Sequence, residues 1–193
     1  MTSLRHNESA DSPRDAYLDA ARACLLDVGW RRTTLTEVAR RAGVSRMTIY
    51  RTWADMPTLL GDLMAREWTA IVAGTSSLEG AGLVERMVAT IRALRVNELF
   101  VRIVEVDPEL VLPYLLARRG RSQDLILAIA TEAITAGQAD GTVRAGNATA
   151  IARGLVLAAH GFVLSAHTMV DDAASEAELD AELALVLSRA LAP

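Results

Sequence analysis

The chain has no lysine; all 20 of its basic residues are arginine. A GC-rich genome is reason enough for that bias, so by itself it points to no activity. Cysteine is nearly absent too: Cys24 is alone, which excludes an internal disulfide and suits a reducing interior, so the expected compartment is the cytoplasm. Aromatic residues are 4% of the chain against 51% hydrophobic, with Ala and Leu dominating and no strand-like alternation. That composition predicts an all-α protein. The most apolar stretch, Gly154 to Val170, carries His160 and His167 and falls short of the roughly 20 apolar residues that a membrane-spanning helix needs. The first residues, MTSLRHNESADSP, lack an apolar core and do not read as a secretory signal. Catalytic signatures are missing as well: there is no Gly-rich phosphate loop, no G-x-S-x-G, no H-E-x-x-H and no pair of carboxylates on a shared face. Nothing here requires catalysis, a metal or another cofactor.

With 193 residues the chain can form one large or two small domains with a sizeable core. Its charge is unevenly placed. Residues 1–53 hold nine Arg against six acids, and the remainder eleven against eighteen. A modestly basic head on an acidic body suits a polyanion contact near the N-terminus.

The basic part contains the most informative stretch, Thr33 to Trp53. Leu35, Val38, Ala39 and Ala42 recur at helical spacing, and Thr34 with Glu37 fits a capping box, so a helix starts near Thr34. Gly43 supplies the left-handed conformation for a sharp turn, Val44 plugs the angle, and Ser45 caps a second helix. That second helix is short and polar: it carries Arg46, Met47, Thr48, Tyr50 and Arg51, and buries little besides Ile49 and Trp53. Two readings fit. One is a helix-turn-helix that lays its second helix in the DNA major groove, where Arg46 can pair with guanine, Met47 can meet a thymine methyl, and Arg51 can reach base or phosphate. The other is a helical hairpin with a merely solvated polar face.

Gly29, Thr33-Thr34, Val38-Ala39, Ala42-Gly43-Val44-Ser45, Thr48-Ile49-Tyr50 and Trp53, with no insertion, resemble the N-terminal signature of the TetR family of transcriptional regulators. The resemblance covers roughly residues 14 to 62. It implies that Thr36 also faces the groove and that Thr33, Thr34, Ser45, Thr48 and Tyr50 hold phosphates. One position departs: where the family usually has a Lys at the start of the next helix, this chain has Met56, which puts that phosphate contact in doubt.

Along the chain, a disordered tail is expected over residues 1–11, a DNA-binding domain over 12–54, and a helical ligand-binding and dimerisation domain over 55–193, about nine helices in all. The first helix starts at Ser12-Pro13 and stops at Gly29; a long helix runs from Asp55 toward Gly74, followed by a Ser/Gly loop over Thr75 to Gly82. Pro113 is expected to kink or end the element begun at Asp107-Pro108. The last two helices are placed at about Ala148 to Met169 and Glu176 to Leu191. Their apolar seams are Ile151, Leu155, Ala159, Phe162 and Ala166 on one, and Leu179, Leu183, Val186 and Leu187 on the other. Such seams either close the protomer's own core or form a four-helix dimer interface about a two-fold axis. Resemblance to the family, whose members dimerise through their last two helices, favours the interface. His160 and His167, seven apart, are expected to share a helix face and to edge that seam or a ligand cavity rather than bind metal. Arg118, Arg119 and Arg121 read as a solvated face.

The function expected is that of a homodimeric, ligand-responsive transcriptional regulator, a repressor, that binds a palindromic double-stranded DNA operator and is released by a small apolar or weakly polar effector. Trp68, Ile71, Leu99 and Phe100, with Ile103, Tyr114, Ile129 and His160, are the candidate effector-pocket residues. The alternative is an all-helical small-molecule carrier or enzyme with no DNA role.

Overall fold

Helix boundaries in this chain follow capping chemistry closely. The computed structural model describes residues 12–76 and 81–193; the tail expected over residues 1–11 and the centre of the Ser/Gly loop lie outside the described residues. Among the described residues there are ten α-helices and no strand, so the chain is all-α. They are α1 (Pro13–Val28), α2 (Leu35–Arg41), α3 (Arg46–Thr52), α4 (Met56–Ser76), α5 (Leu83–Arg95), α6 (Glu98–Val106), α7 (Leu112–Leu116), α8 (Arg121–Asp140), α9 (Ala148–Leu164) and α10 (Glu176–Leu191). Short 3-10 turns occupy Trp30–Arg32, Pro108–Leu110 and Ala166–Met169. Side-chain oxygens of Ser12, Thr34, Ser45, Asn97, Asn147 and Ser175 each accept a first-turn amide hydrogen, and Asp55 Oδ1 accepts from the Thr58 amide at 2.8 Å. Each of these bonds satisfies a donor that has no partner within its helix.

Three expectations about boundaries need correction. Pro113, expected to kink or end the element begun at Asp107-Pro108, sits in the first turn of α7, where a missing N–H costs nothing, and so begins a helix instead of ending one; the ten helices among the described residues accord with the expected count of about nine. Helix α9 stops at Leu164, which leaves His167 exposed in the following 3-10 turn and no longer on a helix face with His160. At Thr34 only half of the capping box forms. The Glu37 amide donates to Thr34 Oγ1 at 3.2 Å, but the Glu37 carboxylate takes Arg40 at 2.6 and 2.9 Å instead of the Thr34 amide.

The chain divides into two compact units, the first ending at Leu63 and the second running from Met64 to Pro193. That division falls later than the residue 54/55 boundary expected, because Leu59, Leu60 and Leu63 of α4 are buried among the residues of the first unit. The core of this unit is built from Leu18, Ala21, Cys24 and Leu25 of α1, Leu35, Val38 and Ala39 of α2, Ile49 of α3, and Trp53. Burial raises the Cys24 thiol above its ordinary pKa, which keeps it in the less reactive protonated form. Trp53 is 1% exposed, so its indole N–H needs a protein acceptor; Asp62 Oδ2 provides it at 2.6 Å. The same carboxylate oxygen accepts from Arg14, whose guanidinium lies 5.3 Å from the Trp53 ring centroid, and Tyr17 meets that ring edge-on at 6.4 Å.

In the second unit, Val88 and Ile91 of α5, Ile134 of α8, Ile151, Ala152 and Leu155 of α9, and Leu183, Leu187 and Leu191 of α10 form one buried cluster. A buried carboxylate, Asp180, joins α10 to α5 through Arg95 Nη2 at 2.6 Å and Arg92 Nε at 2.5 Å. Most residues of the expected dimer seam pack within the protomer. Ile151, Leu155, Leu183 and Leu187 are interior residues of the protomer, Ala166 is buried, Ala159 and Phe162 pack against the cluster, and Leu179 is half-buried. Of the nine seam residues only Val186, at 49%, is well exposed. The 3.6-residue period marks a face as apolar but not whether its own chain or another covers it.

Replacing Asp62 by Ala strands a buried indole donor, and the expected cost is about 2 kcal/mol of the unfolding free energy. Asp62→Asn, which keeps an acceptor, should cost less. Urea denaturation of the two variants checks this, and equal midpoints for wild type and Asp62→Ala would discard the assigned role.

Candidate nucleic-acid interface

The geometry of the polar hairpin begins with its turn. Gly43 has φ +68°, and the Ala42 and Val44 amides donate to Val38 and Ala39 carbonyls at 2.9 and 3.0 Å, which closes α2 and redirects the chain. Ser45 then caps α3 by accepting the Thr48 amide at 3.2 Å, and the two hydroxyls lie 2.9 Å apart. Within α3 only Ile49 is buried, at 0% exposure. Because successive residues on a helix turn by about 100°, one inward residue leaves Arg46, Met47, Tyr50 and Arg51 facing out. All four are exposed, Met47 at 70%. Trp53 anchors the end of the helix through Asp62.

Electrostatics separates available arginines from committed ones. Arg40 pairs with Glu37, and this bond holds the Glu37 carboxyl below its ordinary pKa, so the pair stays neutral overall. Arg41 pairs with Asp27, and Arg14 with Asp62. Arg46 and Arg51, by contrast, have no ion-pair or hydrogen-bond partner among the described residues. A short helix therefore offers two unpaired guanidinium forks, a thioether and a phenol on one exposed surface, held by a single core residue and a tethered indole. Guanidinium forks match guanine edges and phosphates, and the apolar Met47 matches a thymine methyl.

The remaining sequence-expected contacts divide. Thr34 and Thr36 are exposed at the start of α2, and Ser45, Thr48 and Tyr50 remain at the surface of α3. Thr33 does not belong with them. It is 5% exposed and its hydroxyl donates to the Gly29 carbonyl at 2.8 Å, so it locks the turn before α2 and has no free donor for a phosphate. At Met56 the start of α4 carries Asp55, whose carboxylate already accepts from Thr58 and is held below its ordinary pKa by that bond. A negative charge in that place disfavours a phosphate. Sequence reading missed Asp62 as the anchor of α3, since its partners lie 48 and nine residues away and no local pattern connects them.

The eight expected pocket residues belong to the second unit and are not gathered round one described cavity. Trp68 and Phe100 meet edge to face at 5.4 Å, Leu99 and Ile103 are buried, and Ile71 is half-buried. Tyr114 lies beneath Arg118, Ile129 is 40% exposed, and burial pushes the half-buried His160 below its ordinary pKa. Two of the cavities on the described part of this unit, of about 710 Å³ along α8 and α9 and about 340 Å³ along α9 and α10, are lined by none of the eight.

Residues 18–63 match the model of a family described as bacterial regulatory proteins, tetR family. Over 185 residues the chain is 34% identical to an uncharacterized HTH-type transcriptional regulator of Mycobacterium bovis, covering 94% of this chain and 95% of that protein. Among solved structures, it is similar to the R. erythropolis transcriptional repressor QsdR from the TetR family, with 18% identity, a TM-score of 0.66, and 93% and 96% of the two chains covered. It also resembles SmeT, solved as a complex with triclosan, with 23% identity, a TM-score of 0.57, and 92% and 90% covered.

A Cβ at Gly43 meets nothing within 4 Å, so Gly43→Ala tests the backbone alone. The left-handed conformation should make it cost about 1–2 kcal/mol in thermal or urea unfolding; a variant as stable as wild type would show that the turn is not constrained there.

Proposed function

This chain belongs to the tetR family of bacterial regulatory proteins and is a helix-turn-helix transcriptional regulator, and from that premise we propose that it acts as a homodimeric repressor that a small molecule releases from a palindromic operator. The observation that carries the DNA-reading half is the exposed surface of α3, where Arg46 and Arg51 are free of carboxylates around the single buried Ile49. Arg46 and Met47 contact bases, Thr36 and Arg51 assist at the groove edge, and Thr34, Ser45, Thr48 and Tyr50 position the phosphate backbone. Two such heads separated by about 34–36 Å, one turn of DNA, read an inverted repeat.

Dimerisation uses the reverse faces of the helices first expected to supply it. On α9, Ala150, Arg153, Gly154, Leu157, Ala158 and Gly161 are exposed and recur along one stripe; on α10, Leu185 and Val186 are 47% and 49% exposed. Gly154 and Gly161 have open space where a Cβ would sit, so nothing among the described residues requires a glycine at either position. A mid-helix glycine costs about 1 kcal/mol relative to alanine, and the close approach of a partner helix supplies the reason that packing within the protomer does not.

The effector is a small apolar or weakly polar molecule bound within the second unit, which contains the candidate residues Trp68, Ile71, Leu99, Phe100, Ile103, Tyr114, Ile129 and His160. The SmeT complex with triclosan supports a small-molecule ligand for this architecture. An effector that binds best to a state with wrongly spaced heads lowers operator affinity by the same factor by which operator lowers effector affinity. Helix α4, Met56–Ser76, spans the division between the units. The rival carrier or enzyme reading draws no support from relatives that are themselves transcriptional regulators.

Selecting fragments of the source genome on the purified protein and footprinting the winner tests the proposal. An inverted repeat bound with steeply salt-dependent affinity is expected; no duplex binding would leave the carrier or enzyme. On that operator, Arg46→Ala should lose about 1–3 kcal/mol of discrimination at the contacted base pair, and an unaltered sequence preference would remove Arg46 from the base-reading set.

Leu157→Glu places a charge on the outward stripe of α9, away from the buried cluster. Analytical ultracentrifugation should find a folded monomer; a persisting dimer would move the interface elsewhere. Truncation before Ala173 is the poorer test, since it removes Leu183, Leu187 and Leu191 from the protomer's own core.

A further inference from the structure

The described part of the first unit, residues 12–63, holds eight arginines. Three are committed to carboxylates: Arg14 to Asp62, Arg40 to Glu37 and Arg41 to Asp27. Arg22 and Arg31 are engaged as well. Only Arg32, Arg46 and Arg51 have no partner among the described residues. Two of these belong to α3. The third, Arg32, is exposed at the end of the 3-10 turn Trp30–Arg32 and is not part of the reading helix.

Its backbone is well fixed. The Thr33 amide donates to the Trp30 carbonyl at 3.0 Å, and the buried Thr33 hydroxyl donates to the Gly29 carbonyl at 2.8 Å. From there the chain is extended through Thr33 (φ −84°, ψ 131°) and Thr34 (φ −129°, ψ 156°) into α2. Two extended residues span at most about 7 Å, so an arginine side chain at position 32 is long enough to reach a phosphate bound at the exposed Thr34 hydroxyl, or the next one on that strand. The nearest ion pairs in sequence, Glu37 with Arg40 and Asp27 with Arg41, are each neutral overall and leave the Arg32 charge uncompensated. An exposed, uncompensated guanidinium on a fixed backbone, beside an exposed hydroxyl suited to a phosphate, adds affinity without reading sequence.

We propose that Arg32 of each protomer is a further DNA-backbone contact that extends the footprint beyond the recognition helix along the strand held at the start of α2. This rests on the reading of the first unit as a DNA-binding head.

The test is the salt dependence of binding by the full-length protein, measured on the footprinted operator and on a scrambled duplex for wild type, Arg32→Ala, Arg32→Lys and Arg40→Ala. Each phosphate contact contributes about 0.9 to the slope of log affinity against log salt. A dimer carrying Arg32→Ala should therefore lose about 1.8 from the slope and weaken on both duplexes alike. Arg32→Lys should keep most of the slope, and Arg40→Ala should leave it near the wild-type value. An unchanged slope in Arg32→Ala overturns the proposal, and so does a changed sequence preference at constant slope, which would make Arg32 a base contact. Absence of salt-sensitive duplex binding by wild type would instead bring down the DNA-binding reading itself.

Discussion

A buried indole cannot leave its N–H unpaired, and much of the first unit follows from that constraint. Trp53 closes α3, and the acceptor it needs comes from Asp62, two turns into α4. The same carboxylate takes Arg14 from the first turn of α1. One side chain therefore sets the end of the recognition helix against two others. The alternative anchors are few: α3 buries only Ile49, and its start depends on a serine hydroxyl and a glycine in the left-handed region. A helix with so small an inner face, leaving four side chains exposed, is held in place by the tether at its far end.

The second unit solves a related problem by a different route. Asp180 is 3% exposed on α10, and two arginines of α5 meet it. Taking a carboxylate out of water is costly unless its oxygens are satisfied; here both oxygens are. The pairing fixes α10 against α5 at one end, while Leu183, Leu187 and Leu191 continue the contact along the helix into the apolar cluster.

Much of this architecture was legible in the sequence where a single residue carries a local rule. Ser12 with Pro13, Gly29, Gly43 and Ser45 all do in space what their chemistry requires. Legibility ended where two options share one pattern. Helices α9 and α10 are apolar on more than one face, so their period could not say which face the protomer keeps and which it leaves open. Thr33 and Thr34 are adjacent and chemically identical, yet one is buried on Gly29 and the other is exposed, a difference set by the 3-10 turn before them. Glu37 had two possible partners, the Thr34 amide and Arg40, and a charged donor one turn on the helix won. The expected pocket residues are mostly apolar, which is also the character of ordinary core.

The open glycines of α9 bear on more than geometry. Under the dimeric reading, each isolated protomer carries a helix weakened at Gly154 and Gly161 and regains the deficit only on association. Folding is then linked to mass action, and the fraction of folded protein depends on how much of it the cell holds. A regulator made in small amounts would meet a lower bound on abundance below which lone chains open and are degraded. Such a bound would sharpen the decay of repression as the protein is diluted at each cell division, with no change in any contact to DNA.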